Sequence, residues 1–470
     1  MSAQTQERSE AGTRGRGAAA GKAARARVPL EAQAEFRSAP GRDPIGLLVE
    51  QGRSRIPDLV PVRHGRMLVS PFTFFRGAAL PMAADLAATA DTGLRTQLCG
   101  DAHLSNFGAF GSPERRLVFD VNDFDETLPG PFEWDVKRLA ASLVVAGLDN
   151  GFSAKQRRKV ALAAAAQYRT AMREFAGMPT LDVWYARLDV EDTIARFRSQ
   201  LKKRVLKQTE AVAARSRTRD SMQAVGKLTR VVDGGREIVS DPPLIVPIED
   251  LPAGDWAGPE YATLRALISG YASTLPPERQ HLVRQFRLTR VARKVVGVGS
   301  VGTQAWIILM EADDGRGPLL LQAKEAQRSV LAAYAGDSEY EHHGERVVVG
   351  QRLMQAASDI FLGWQAVTGL SGVRTDYYVR QLRDWKYSAP IEQMDPAVMT
   401  SYGALCGWTL ARAHARTGDR AAIAAYLGSS ARFEQAVTDF AVAYAAQTVR
   451  DHAALAAAVA DGRVEARSGV

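Results

Sequence analysis

Only two cysteines, Cys99 and Cys406, occur in the chain, too few for a disulfide framework or a cysteine-based zinc site. Histidine is also scarce, at seven residues, and the adjacent pair His342-His343 lacks metal-ligand spacing and reads as surface. No apolar run approaches the roughly 18 residues a membrane-spanning helix needs, and no signal-peptide pattern is present. The expectation is therefore a soluble, cytoplasmic protein without a membrane partner. Acid is outnumbered by base, 52 against 60, for a net charge of +8. Part of that excess sits in the first 27 residues, where Arg and Lys are mixed with Ala, Gly and Ser. This composition predicts a disordered basic tail over residues 1–35. The remaining excess suits an anionic nucleotide or an acidic substrate. Lys202, Lys203, Arg204, Lys207, Arg215, Arg217 and Arg219 read as a solvated helix face, with substrate or nucleic-acid contact as the alternative.

What the chain does have is length and a concentrated polar stretch. At 470 residues and 46% hydrophobic content it can bury a core large enough for two lobes with extensions. The stretch runs from Cys99 to Asp135. In it Gly100-Asp101-x-His103-x-x-Asn106 is followed, after a loop and the apolar strand Leu117-Val118-Phe119, by Asp123-Phe124-Asp125-Glu126. Asp101 and Asn106 stand five apart, as do the Asp and Asn of a kinase catalytic loop, where the Asp accepts the hydroxyl proton and the Asn takes a metal. A strand ending in acids would bring Asp123 and Asp125 beside that loop, where they and Asn106 can share Mg²⁺. Each residue alone is equally at home in a solvated turn or a helix cap. His103 reads either as a site residue or as a loop-shaping hydrogen-bond partner.

The ordered set GDAHLSNFG, NDFDE and EWD resembles the Gly-Asp-x-His-x-x-Asn, Ile-Asp-x-x-Asp and Asp pattern of aminoglycoside phosphotransferase-like kinases. It is still more similar to the uncharacterised family called domain of unknown function 2252. The resemblance implies that Asp123 is the metal-binding Asp with Asp125 beside it. It also implies that Asp135 braces the catalytic loop from the next helix. Cys99-Gly100 stands where protein kinases have His-Arg, and neither an Ala-Pro-Glu segment nor a long phosphorylatable loop follows Asp125. The departures favour a small-molecule or atypical kinase over a regulated protein kinase.

Such a site also needs a phosphate-gripping loop and a lysine, and nothing before residue 99 supplies them. Far downstream, Gly297-Val298-Gly299-Ser300-Val301-Gly302 is preceded by Leu288–Val295 and followed by the apolar run Ala305–Met310. A dinucleotide fold would need a helix directly after these glycines, whereas Trp306 to Met310 is strand-like. An Asp313-Asp314-Gly315 turn and a third strand ending in Lys324 complete a kinase-like small lobe. Lys324 would hold phosphates and needs an orienting carboxylate. Glu345 is the first choice, with Glu341 and Glu339 competing and a helix-terminus role for Glu345 as the alternative. Asp376 to Asp384 reads as the last strand and hinge, with Gln381 and Leu382 facing adenine.

The catalytic loop thus precedes the nucleotide lobe. The predicted fold is α+β, a protein-kinase-like two-lobed fold in circularly permuted order, with a helix-rich large lobe. The parts are the tail (1–35), an N-terminal extension with the catalytic lobe (36–285), the nucleotide lobe (286–390) and C-terminal helices completing the large lobe (391–470). The permutation requires a helix near the C-terminus that packs against the catalytic loop. Tyr402 to Gly418 meets this, and its Leu410-Ala411-x-x-His414 looks like the segment that precedes the loop in the same kinases. Helices are also predicted at Pro44–Gln51, Val136–Leu148, Ser153–Phe175 and Tyr261–Ser273, and a hairpin at Val231–Val239. Aromatics from Pro61 to Gly77 read as core, while Arg63, Arg66 and Arg76 among them are second-rank candidates for facing phosphates.

The expected function is transfer of a phosphoryl group from ATP, with Mg²⁺, to a hydroxyl of a small molecule. The alternatives are a nucleotide-binding pseudokinase that regulates a partner, and transfer of AMP on the same fold.

Overall fold

The computed structural model describes residues 3–38, 41–192, 221–251, 260–295, 297–315, 317–368, 374–382, 385 and 387–469. The basic residues between Lys202 and Arg219, and Arg383 and Asp384 of the expected hinge, lie outside the described residues. In chain order the strands are β1 (Arg95–Leu98), β2 (Phe107–Gly111), β3 (Leu117–Val121), β4 (Leu128–Pro131), β5 (Leu188–Asp189), β6 (Thr229–Val232), β7 (Gly235–Ile238), β8 (Ile245–Pro247), β9 (Phe286–Lys294), β10 (Ala305–Ala312), β11 (Pro318–Glu325), β12 (Gly363–Thr368), β13 (Arg374–Gln381) and β14 (Tyr387–Ser388). With the long helices they make a mixed α and β protein. No helix among the described residues is long and apolar enough to cross a membrane.

The main sheet is antiparallel and six-stranded, in the order β12-β13-β11-β10-β9-β8. Its strand β10 is apolar and buried from Ala305 to Met310 because both faces are covered there. Successive side chains of a strand point to opposite faces. Ile307 and Leu309 accordingly pack with Ala224, Val225 and Leu228 of the helix Ser221–Leu228, while Trp306, Ile308 and Met310 pack with Leu267 and Tyr271 of the helix Glu260–Ser273. The sheet therefore recruits residues 221–251 and 260–283, which the sequence reading assigned to the catalytic lobe. Coverage of the second face decides this, and single-strand patterning does not report it. The β6–β7 hairpin turns on Asp233 and Gly234, both at positive φ, as a two-residue turn of this hand requires.

The second body is helical. Phe132–Asp149 is buried along almost its whole length and is enclosed by Ala154–Gly177, Pro396–Thr417 and Arg432–Ala460. Ser153 and Gln156 form a capping box at the start of Ala154–Gly177. The helix Pro396–Thr417 ends against β1. Thr417 Oγ1 lies 2.6 Å from Thr96 Oγ1, and a Cβ on Gly418 would come within 3.0 Å of the Arg95 carbonyl. Glycine is needed there for close approach, since its φ of −114° is ordinary.

The N-terminal stretch differs from the expected disordered tail. Ala3–Arg27 is a helix, and Ala24 and Val28 near its end are buried. Alanine is the best helix former, and composition alone does not reveal a docking surface. Arg25 donates to the carbonyls of Tyr426 (2.6 Å) and Ala425 (2.5 Å), which close the helix Arg420–Leu427. Those carbonyls are unsatisfied within their own helix, so a cation is favoured there.

Candidate active site

One face of the helix Phe132–Asp149 shapes the loop after β1. Asp135, Arg138 and Ser142 stand at i, i+3 and i+7 and so point the same way. Asp135 accepts from the amides of Cys99 (2.8 Å) and Gly100 (3.1 Å), and His414 Nε2 lies 3.3 Å from it. Arg138 Nε donates to Asp101 (2.5 Å), and Ser142 Oγ accepts from the Leu104 amide (3.1 Å). Gly100 has φ 82°, and a Cβ there would sit 2.3 Å from the Glu126 carbonyl. The turn thus needs glycine for both its backbone and its space.

Asp101 is left pointing into a cleft with one guanidinium behind it. Burial pushes its carboxyl above the usual range, against the pull of Arg138. His103 lies 3.7 Å from Asp101, and burial, Arg76 and Arg138 hold its ring well below the ordinary histidine value. The ring is therefore neutral at pH 7, and among the described residues its Nδ1 has no partner. Asn106 Nδ2 donates to the Asp101 carbonyl (2.9 Å), leaving the amide oxygen for the cleft. The Asn122 amide donates to the Asn106 carbonyl (2.9 Å), which brings the end of β3 beside the loop.

The following acids meet the sheet. Asp125 accepts from Lys324 Nζ (2.6 Å) and Ser300 Oγ (3.3 Å) on one oxygen and from the Tyr378 hydroxyl (2.6 Å) on the other. Burial pushes the Asp125 carboxyl up, but Lys324 and Tyr378 outweigh it and hold it below the usual range. Burial opposes the Lys324 charge, yet Asp125, Tyr378 and Asp123 together raise its pKa, so it stays an ammonium. Asp123 stands 4.0 Å from Lys324 and is shifted up, by burial first and by Asp125 second. Arg346 fixes this segment by donating to the carbonyls of Asp125 (2.8 Å) and Thr127 (2.7 Å).

The cleft has two compartments. One, of about 890 Å³, is lined by Lys324, Gln322, Gln381, Leu382 and Arg380. The other, of about 710 Å³, is lined by Asp101, His103, Asn106, Asp125 and Glu126. Asp123, Gly297 and Ser300 belong to both and mark the junction. Gly299 lines the second, whereas Gly302 is turned away. It packs against Arg55, and its carbonyl accepts from the Ile56 amide (2.7 Å). Gly302 anchors the loop and does not face the cleft. Among the described residues no three His, Cys, Asp or Glu side chains converge as metal ligands.

Besides the place of Gly302, two further sequence expectations are corrected. The partner of Lys324 is Asp125, and none of Glu345, Glu341 or Glu339 pairs with it. Glu345 sits in the first turn of the helix His343–Met354, near His342 and Tyr340, in the helix-terminus role that was its alternative. The amides of Gln381 and Leu382 are already used, by Asp359 Oδ2 (2.5 Å) and the Leu320 carbonyl (2.9 Å), so neither is available as a donor to adenine. Arg138, Tyr378 and Arg346 were missed. Arg138 could have been found from its i+3 spacing to Asp135; Tyr378 needed the register that sets it opposite Lys324.

A sequence model of a family described as an uncharacterized protein conserved in bacteria, DUF2252, matches residues 55–458. The chain belongs to that family. The DUF2252 match spans the Asp101 loop, the glycine loop and Lys324 together. No curated protein and no solved structure matches the chain.

Glu126 gives this DUF2252 site a pH signature. Burial pushes its carboxyl to about 7 from 4.5, although the Val330 amide (2.7 Å) and Arg346 favour its charge. The folded carboxyl keeps its proton at pH values where the unfolded one has released it, so stability is lost as pH rises from about 4.5 to about 7. Glu126→Gln keeps an acceptor for Val330 and removes the titration. Its melting temperature is expected to gain on wild type across that window and level off above it. A difference that stays constant with pH would count against the shift.

Proposed function

We propose that the protein is an Mg²⁺- and ATP-dependent phosphotransferase that phosphorylates a hydroxyl of a small molecule. The observation that carries this reading is the junction at Asp123. There the compartment holding Lys324 and the last sheet strand meets the compartment holding Asp101 and Asn106, with Ser300 of the glycine loop above both. The strand order also supports it: β9, the glycine loop, β10, β11 with its lysine, a helix, then β12 and β13, with β11 between β10 and β13. The contact of the helix Pro396–Thr417 with β1 supports a kinase-like fold in rotated order, because it sets a late helix against the early catalytic loop. The resident groups fit a nucleotide better than a permanent metal. The Asn106 amide oxygen and the Asp123 carboxylate offer two hard ligands, and Mg²⁺ commonly takes the rest from phosphates and water.

In this mechanism Asp101 accepts the acceptor's hydroxyl proton as the oxygen attacks the terminal phosphorus. The bond from that phosphorus to the bridging oxygen breaks, and ADP leaves. Lys324 and the backbone of residues 297–300 hold the phosphates, and Arg138 keeps Asp101 aimed. Asn106 and Asp123, with Asp125 beside them, would hold Mg²⁺, which neutralises phosphate charge when bound.

The test follows ADP and pyrophosphate release by the purified protein, beside Asp123→Ala and Lys324→Ala. ADP release that falls by about 10²-fold or more in both variants is the expected result. Pyrophosphate release would replace the reading with AMP transfer. Absence of ATP binding would remove it.

A further inference from the structure

Five arginines that the reaction does not use line the compartment next to Asp101, and two of them, Arg328 and Arg374, are paired with Asp337 and Asp376. The other three are Arg55, Arg63 and Arg76. Arg63 is 1% exposed and Arg55 8%, and among the described residues none of the three pairs with a carboxylate within salt-bridge distance. Their remaining bonds are to neutral acceptors. Arg63 donates to Gln51 Oε1 (2.7 Å) and the Gly77 carbonyl (2.8 Å), and Arg55 to the Val301 carbonyl (2.5 Å). Buried nitrogens are left over: Nε and Nη1 of Arg63, Nε of Arg55 and Nε of Arg76. Buried charges are ordinarily paired, and an unpaired guanidinium donor in a cavity is an unfilled binding capacity.

The acids nearby do not fill it. Asp101 is taken by Arg138, Asp125 by Lys324 and Asp376 by Arg374, while Glu126 and Glu325 favour the Arg55 charge only from beyond salt-bridge distance. Burial and, after it, the neighbouring Arg55 depress the charged form of Arg63, which an anion between the two would relieve. Three guanidiniums exceed the charge of a single carboxylate. They match a phosphate monoester, with about −1.5 to −2 charges and three peripheral oxygens.

Resting on the phosphotransferase reading, we propose that the acceptor is itself a phosphate monoester bearing a free hydroxyl, whose phosphate seats on Arg55, Arg63 and Arg76 while its hydroxyl faces Asp101. This fixes the substrate class as phosphorylated polyols or sugars, and the product as a bisphosphate.

The test uses inorganic phosphate as the probe of the site, on the full chain, by calorimetry at pH 8 without Mg²⁺. Arg76→Met is the first variant, because among the described residues Arg76 makes no side-chain hydrogen bond. Phosphate is expected to bind wild type roughly tenfold more tightly than Arg76→Met, the loss of one charge-assisted contact. ATP is expected to bind both proteins equally and in the presence of phosphate, since it occupies the other compartment. Arg63→Lys, which keeps the charge but loses the fork, is expected to weaken phosphate while leaving the melting temperature close to wild type. Acetate, carrying one charge, is expected to compete poorly. Phosphate that fails to bind, binds Arg76→Met equally, or is displaced by ATP overturns the proposal. Acetate matching phosphate would change the class to hydroxy acids and overturn the monoester. If ATP does not bind while Arg76-dependent phosphate binding persists, the phosphotransferase reading fails and the anion site stands.

Discussion

Asp101→Asn is expected to lower phosphoryl transfer by about 10²–10⁴-fold while leaving ATP binding within about twofold of wild type. The substitution keeps the shape of the side chain and removes its ability to take a proton. ATP binding should survive because the groups around Lys324 lie across the Asp123 junction from Asp101. Arg138 loses its carboxylate in this variant, and its remaining partners are the Phe75 carbonyl (3.0 Å) and the Met82 sulfur. The protein should therefore melt earlier, so ATP affinity and melting are read on the same sample. The pH profile separates the roles further. Because burial holds the Asp101 carboxyl above its ordinary range, wild-type transfer should fall on the acid side at a higher pH than a free carboxylate would give. That limb should vanish in Asp101→Asn. Near-normal transfer by this variant would take the proton-accepting role away from Asp101.

Arg412→Met is expected to destabilise the fold by about 3–5 kcal/mol, the largest stability effect of any single substitution considered. Arg412 donates to Asp120 at 2.5 Å, and both side chains are essentially inaccessible, at 1% and 2%. Asp120 also accepts from the amides of Val121 and Ala356, both at 2.9 Å. The variant would leave a buried carboxylate with two amides and no cation in contact, Arg416 acting on it only at longer range, and burial already favours its protonated form. Removing both charges, as Asp120→Asn with Arg412→Met, should recover part of the loss, because a neutral amide needs no counter-ion. Denaturant unfolding of the two single variants and the double one measures the coupling. Strict additivity would mean that the pair contributes nothing of its own. The pair joins the helix Pro396–Thr417 to β3, the strand that delivers Asp123. Arg412→Met should therefore impair the site as well as the fold.

Much of this organisation was legible in the sequence because it is local. The five-residue spacing of Asp101 and Asn106, the strand that returns Asp123 and Asp125, and the helix that brings Asp135 back to the loop all lie within 35 residues. Over so short a span, strand and helix periodicity fix which side chains meet. The strand, glycine loop, strand, turn and lysine strand were legible for the same reason, since hairpins pair neighbours. The cap of Ser153 and the turn at Asp233-Gly234 are set by their own residues.

What only the tertiary structure decided are choices among distant candidates of equal chemistry. Four acids could have met Lys324 on charge alone. Asp125, 199 residues away, does so because β11 and β13 set Lys324 opposite Tyr378, and Arg346 holds the Asp125 backbone beneath them. Glu345 is near in sequence, but the turn of its helix points it elsewhere. The N-terminal stretch has the composition of a tail, and it is a helix because the end of Arg420–Leu427 offers carbonyls for Arg25. Arg55, Arg63 and Arg76 are ordinary surface letters until packing buries the first two and gathers all three on one compartment, none of them in an ion pair with the acids that share it. Local preference depends on a few neighbouring residues and can be read from them, whereas the partner of a charge depends on which groups folding removes from water at the same place.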